Sequence, residues 1–279
     1  MDLKKKKNSL SYYNLLEYEE ADCLFYLYQF SEYEVENMNH YTNVNFFYEN
    51  KESDNMARIR VYYKLDHVMG DGNEMQRILR LLKWTGEHFK INGKTLEDRK
   101  YDSEDFFDIL NRARMEGYVL NCRYISTIFT QILLSVGFKT RWVVCMPIAL
   151  EYRECHCVVE VYIEALEKWI LVDPSYKLLY FNKKGELINL HEMRSLIIKG
   201  EKFRVVNTPH HYDDVWNCWI NHIFRFKYSL SNEYNMLMQK NKSYACLNPK
   251  NFVINDKRII HSEDDVTVIN YYYNKSLFY

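Results

Sequence analysis

The sequence lacks the features that most readily assign a function. It carries 37 Lys and Arg against 38 Asp and Glu, for a formal net charge of −1, and its pI lies near 6.8. That balance offers no basic surface to a polyanion, so nucleic acid is not an expected partner. No apolar run approaches the ~18 residues needed to span a bilayer, and no membrane helix is expected. The first residues, Met1 to Lys7, are basic, but Asn8 to Glu20 mixes polar, aromatic and acidic residues where a secretory leader would be apolar. Seven cysteines is an odd number without framework spacing, which argues against a disulfide-paired scaffold. A reducing cytoplasm is the expected compartment, and it would keep a reactive thiol reduced. There is no phosphate-cradling glycine loop, no internal repeat and no low-complexity linker.

What is present reads as an ordinary globular chain. Its 279 residues are 47% hydrophobic and 27% charged, long enough for one large domain or two small ones with a sizeable core. The 25 tyrosines are conspicuous but are given no functional weight. Residues 1–56 read as an extension with one helical stretch between Leu15 and Phe30. Residues 57–200 read as a core, and residues 201–279 as a C-terminal α/β extension packed on it. Asn73 is placed to cap a helix carrying Met75, Ile78, Leu79, Leu82 and Phe89 at helical spacing, with Trp84 inside it and Gly93 near its end. A second helix is expected from Ser103 to Met115, with Glu104 and Asp105 in its first turn and Gly117 at its end.

The third helix carries the chemistry. Cys122, Ile125, Phe129, Ile132, Leu133 and Val136 make one apolar face, and Gly137 closes it. An apolar strand follows from Trp142 to Met146. Cys157, Val159, Val161 and Ile163 then alternate with His156, Val158, Glu160 and Tyr162 on the opposite face of a second strand. Glu167-Lys168 is a turn before a third strand, Trp169 to Val172, which ends at Asp173-Pro174. Lys183 to Glu186 reads as a further turn, Val215 to His222 as a helix, and Val266 to Tyr273 as strand-like. The layout is α+β, with a helix packed on an antiparallel sheet.

Cys122, His156 and Asp173 are the candidate catalytic residues. A cysteine at a helix start meets unpaired backbone N–H groups and a partial positive charge, both favouring the thiolate nucleophile. An imidazole beside it would lower its pKa further and return the proton to a leaving group. A carboxylate at the end of the adjacent strand would hold the other ring nitrogen. The backbone N–H of Cys122 is one expected oxyanion donor. For the second, the sequence offers only Asn121 or groups near Trp84.

These segments resemble the transglutaminase-like superfamily, whose core shares the architecture of papain-type thiol active sites. Leu120-Asn121-Cys122-Arg123 resembles the nucleophile segment of one bacterial branch, and Gly137 to Arg141 resembles the turn after it. Cys155-His156-Cys157-Val158 with Glu160-Val161-Tyr162 is similar to the histidine strand, and Lys168-Trp169 through Asp173-Pro174-Ser175 to the aspartate strand. Tyr63 to Asp66, Gly70 to Glu74, Trp84 and Phe224-Arg225-Phe226 extend the likeness over roughly residues 58–230. Two positions depart from the commoner pattern: Asn121 replaces a small residue before the cysteine, and Val158 an aromatic after the histidine. The resemblance implies a papain/transglutaminase-like core and a Cys-His-Asp triad that cleaves or transfers an amide or peptide bond of a peptide or protein substrate. Hydrolysis is expected ahead of transamidation, because the sequence shows no dedicated amine site and bulk water needs none, and no cofactor is required.

Other constellations weigh less. Cys155 and Cys157 flank His156, but strand alternation turns them away from the ring, so no metal cluster is expected there. His210-His211 with Asp213-Asp214 reads as a loop before a helix that Asp213 or Asp214 caps, and adjacent histidines diverge. The lysines at positions 4 to 7 read as a solvated terminus. The rival reading is a non-catalytic module presenting its cleft to a peptide or glycan. A Cys122 sulfur sealed from solvent, or remote from His156, would favour it. A structural protein using tyrosine-rich ends is a third reading, resting on composition alone.

Overall fold

A computed structural model of the chain describes residues 20–32, 45–91, 105–115, 119–147, 155–206, 210–236, 243–250 and 267–271. Its helices are α1 (Glu20–Gln29), α2 (Asp54–Tyr62), α3 (Leu65–Met69), α4 (Glu74–His88), α5 (Phe106–Met115), α6 (Cys122–Ser135), α7 (Leu190–Ile198) and α8 (Tyr212–His222). The strands of the main sheet are β1 (Thr140–Met146), β2 (His156–Ile163), β3 (Lys168–Asp173), β4 (Leu178–Phe181), β5 (Arg204–Val205), β6 (Arg225–Ser229), β7 (Ser243–Leu247) and β8 (Thr267–Tyr271). Their spatial order is β8-β7-β6-β1-β2-β3-β4-β5. Every neighbouring pair is antiparallel except β7 with β8. The fold is α+β with the Cys122 helix packed on a mainly antiparallel sheet.

Alternation along β2 divides the core. Val159, Val161 and Ile163 pack with Ile125, Ile128, Phe129, Ile132 and Leu133 of α6. On the other face Val158 joins Val143, Leu171, Leu190, Met193, Val215 and Trp219 under α7 and α8. With helices on both faces, α6 is enclosed: every residue from Ile125 to Ser135 is buried. Its buried hydroxyls are satisfied locally, Ser126 donating to the Cys157 carbonyl at 2.7 Å and Thr130 to the Ser126 carbonyl at 2.8 Å. Gly137, at φ 94°, ends it in a Schellman turn, with Phe138 N–H bonded to the Leu133 carbonyl and Gly137 N–H to that of Leu134.

One buried ion pair ties the layers together. Arg141 and Glu160 face each other across β1 and β2, and the guanidinium donates to Glu160 Oε2 from Nε at 3.0 Å and Nη2 at 2.7 Å. The other carboxylate oxygen accepts the Leu190 N–H at 3.0 Å, at the start of α7. Trp169 and Tyr228 cover the guanidinium, at 4.1 and 4.8 Å to the ring centroids.

Asn73 caps α4 as expected, in a reciprocal capping box with Gln76. Two helix starts differ from the sequence reading. α5 begins at Phe106 because the Asp105 carboxylate accepts the Phe107 N–H at 2.7 Å, which places Asp105 outside the helix rather than in its first turn. α8 begins at Tyr212 with His211 at its N-cap, so Asp213 and Asp214 lie inside its first turn and favour the helix dipole instead of capping. The lysines at positions 4 to 7, Gly93, Ser103, Glu104, Gly117, Val266, Tyr272 and Tyr273 fall outside the described residues.

Candidate active site

The three candidate residues meet where α6, β2 and β3 end together. Asn121 caps α6 by accepting the Tyr124 N–H at 3.1 Å, which makes Cys122 the first helical residue. His156 is the first residue of β2 and Asp173 the last of β3. His156 Nε2 lies 2.7 Å from Asp173 Oδ2. The Cys122 thiol donates to the Cys155 carbonyl at 3.6 Å, and it lies within electrostatic reach of the His156 ring. His156 and Asp173 are buried while Cys122 keeps partial access to solvent.

Asp173 is held on every side. The backbone N–H groups of Ser175 and Tyr176 donate to Oδ1 at 2.9 and 3.2 Å, an Asx turn allowed by Pro174, which has no N–H of its own. The Tyr180 hydroxyl donates to Oδ2 at 3.1 Å. A buried carboxylate is tolerable only when its oxygens are satisfied, and these four donors satisfy it.

The electrostatics separate the thiol and the imidazole. A hydrogen bond from the Cys157 side chain, opposed by burial and helped by the His156 hydrogen bond and charge, holds the Cys122 thiol well below the ordinary cysteine value. Burial alone would push the His156 ring down. The charge of the Asp173 carboxylate, the Cys218 sulfur, the hydrogen bond the ring donates to Asp173 and the influence of Cys122 outweigh it and raise the ring well above the ordinary histidine value. Low thiol and high imidazole together favour a thiolate–imidazolium pair.

α8 supplies a wall that the sequence did not reveal. Trp219 stands edge-on to His156, with centroids 5.7 Å apart and planes at 86°. Tyr176 and His222 approach the same ring at 5.7 and 6.2 Å. His222 Nδ1 lies 2.7 Å from the Cys218 carbonyl, and burial followed by the His156 charge pushes this ring down to about 4. Val215, Cys218, Trp219 and His222 share one helical face at spacings of three and four, a pattern legible in the sequence. Nothing local said that this face docks on His156.

Of the suggested second oxyanion donors, Asn121 uses its side-chain oxygen in capping. Trp84 packs among Tyr63, His88 and Phe89. His210 meets Tyr176 edge-on, 5.0 Å away, whereas His211 caps α8. Among the described residues, no group of three His, Cys, Asp or Glu side chains converges for a metal ion. Nor is any helix among them long and apolar enough to cross a membrane.

No curated protein matches the sequence. In fold, the chain overlays a Cytophaga hutchinsonii protein provisionally named a cysteine protease, at 14% identity and a TM-score of 0.33, over 64% of this chain and 59% of that one. It overlays the structure of Rad4-Rad23 bound to a 6-4 photoproduct UV lesion at 12% identity and a TM-score of 0.33, over 64% of this chain and 41% of that one. The match spans less than two thirds of either neighbour's length, and neither overlay carries weight for function. The informative match is to a family model, the transglutaminase-like superfamily, over residues 63–174. That span contains Cys122, His156 and Asp173, and over it the chain is similar to the transglutaminase-like superfamily.

Proposed function

We propose that this protein is a cysteine-dependent acyl-transfer enzyme that cleaves an amide or peptide bond, with Cys122 as nucleophile, His156 as proton carrier and Asp173 as the group that orients the imidazole. The observation that carries this reading is Cys122 at the start of α6 within electrostatic reach of His156, whose Nε2 lies 2.7 Å from Asp173 Oδ2. The thiolate attacks the carbonyl carbon, and the developing oxyanion is met by backbone N–H at the start of α6. The His156 imidazolium gives its proton to the departing amine, leaving a thioester on Cys122. Water then attacks the thioester as His156 takes a proton from it, and the acid product leaves with the thiolate restored. An amine in place of water gives transamidation. Hydrolysis is the favoured outcome because bulk water needs no dedicated acceptor site. No cofactor enters the scheme. Partial exposure of Cys122 and its electrostatic coupling to His156 weigh against the non-catalytic binding module.

The test is a thiol-directed electrophilic probe on the wild type and on Cys122→Ala, followed by a screen of peptide amides with and without added primary amine. The reading requires single-site labelling that vanishes in the variant, and acid product released without amine. Equal labelling of the variant removes Cys122 as nucleophile, and product formed only with amine makes the enzyme a transamidase.

A further inference from the structure

The Cys155-His156-Cys157 run does not gather around its own histidine. Alternation sends His156 toward α8 and Cys157 toward α6, into an apolar patch with Trp142, Val144, Met146, Met236 and Tyr244. Cys122 and Cys155 pack at the edge of that patch, both partly exposed, while Cys157 is fully buried. The bond from Ser126 to the Cys157 carbonyl pins the first turn of α6 against β2 at this point, and the Cys122 sulfur lies 3.6 Å from the Cys155 carbonyl. Cys122 and Cys155 thus pack on the patch that holds the Cys157 side chain, and the three thiols influence one another's ionisation. All three are free thiols. Three sulfurs thus share one end of the site, and the scheme above uses only one.

We propose that Cys122 and Cys157 form a peroxide-sensitive modification site, in which Cys157 captures the oxidised Cys122 as a reversible disulfide. This inference rests on Cys122 being the reactive thiol of the proposed function. The two roles follow from exposure and charge. Cys122 is reachable and carries thiolate character, so it reacts with peroxide first; burial holds Cys157 as an unreactive thiol until an electrophilic sulfur appears beside it. In the first step the Cys122 thiolate attacks a peroxide oxygen. An S–O bond forms, the O–O bond breaks, and hydroxide leaves to become water with a proton, giving Cys122 sulfenic acid. In the second, the Cys157 sulfur attacks that of Cys122; the S–S bond forms, the S–O bond breaks, and hydroxide departs with the Cys157 proton as a second water. Two thiols lose two electrons and hydrogen peroxide gains them. A dithiol reductant reverses the bond, so the nucleophile escapes irreversible sulfinic acid. Cys157 is the resolving partner rather than Cys155 because it is buried in the patch against which Cys122 packs and acts on the Cys122 thiol more strongly than any other group.

The experiment treats the full-length wild type, C157S and C155S with hydrogen peroxide, then alkylates Cys122 before and after dithiothreitol and maps cross-linked peptides. Serine keeps a hydrogen-bond donor beside the thiolate in C157S. In the wild type, peroxide should abolish Cys122 alkylation, dithiothreitol should restore it, and fragmentation should locate a Cys122–Cys157 link. C155S should behave like the wild type, while in C157S prolonged excess peroxide should carry Cys122 past the sulfenic acid, which dithiothreitol reduces, to the sulfinic acid, which it does not. The mapped link in the wild type decides the matter even if C157S fails to fold. Full recovery in C157S after the same prolonged excess, a link through Cys155, or an irreversible loss in the wild type overturns the proposal while leaving Cys122 as nucleophile. A Cys122 that resists alkylation in untreated protein overturns the nucleophile reading, and this inference with it.

Discussion

The Tyr180 hydroxyl donates to Asp173 Oδ2, the same oxygen that faces His156 Nε2. The carboxylate therefore cannot rotate without breaking both bonds, and the imidazole inherits that fixity. Tyr180→Phe keeps the ring, which packs edge-on against Trp219 at 5.4 Å, and deletes only the hydroxyl. A hydrogen bond to a charged acceptor is worth about 1.5–3 kcal/mol, and each 1.4 kcal/mol is about tenfold in rate. We expect kcat on an amide substrate to fall about tenfold with KM little changed. A fall in thermal stability with kcat intact would assign Tyr180 to packing alone.

The Arg141–Glu160 pair serves the fold, and its loss should be felt in stability. Both side chains are fully buried, and Glu160 also receives the first N–H of α7. Glu160→Gln leaves a buried guanidinium without its counter-charge, which costs about 3–5 kcal/mol. Urea unfolding should show the midpoint displaced toward lower denaturant at an unchanged slope. A variant as stable as the wild type would show that Trp169 and Tyr228 suffice to hold the cation.

His222 sets an acid limit on stability. Its folded pKa, about 4, lies below the ordinary 6.5, so as pH falls the unfolded chain takes up the proton first. The stability it allows is intact above pH 6.5 and is lost as pH falls from there toward 4. His191, also held well below its ordinary value by burial and then by Arg141, acts in the same direction, whereas the raised His156 acts oppositely. Comparison with His222→Gln isolates the term. The wild type should lose roughly 2 kcal/mol more than the variant across that window, after discounting for partial exposure of the ring. Parallel stability curves would mean that His222 is not kept neutral by its surroundings.

What was legible in the sequence was local. A cap, an apolar face and a closing glycine placed Cys122 at the start of α6, and period-two alternation set His156 and Cys157 on opposite faces of β2. The reach from strand to strand was not local. Arg141 faces Glu160 only because β1 and β2 pair in one register among several that their apolar residues would allow. Tyr180 reaches Asp173 because β4 folds back on β3, and Trp219 reaches His156 because α8 crosses the site from 46 positions further along the chain (173 to 219). The cysteines beside His156 were read correctly as turned away from it, but their convergence on Cys122 depended on where α6 docks. The missed cap at Asp213 or Asp214 has a plainer cause: the cap lies two or three residues earlier, at His211, which makes no side-chain cap.

The central claim is that Cys122 and His156 form a thiolate–imidazolium pair. The most direct measurement is the rate of Cys122 alkylation by iodoacetamide from pH 5 to pH 9, in the wild type and in His156→Asn. An ordinary thiol slows about tenfold for each pH unit below its pKa. The account predicts a wild-type rate nearly level across the neutral range, because the lowered thiol is already ionised there, and a variant that recovers the ordinary steep decline. Superimposable profiles in the two proteins would contradict it.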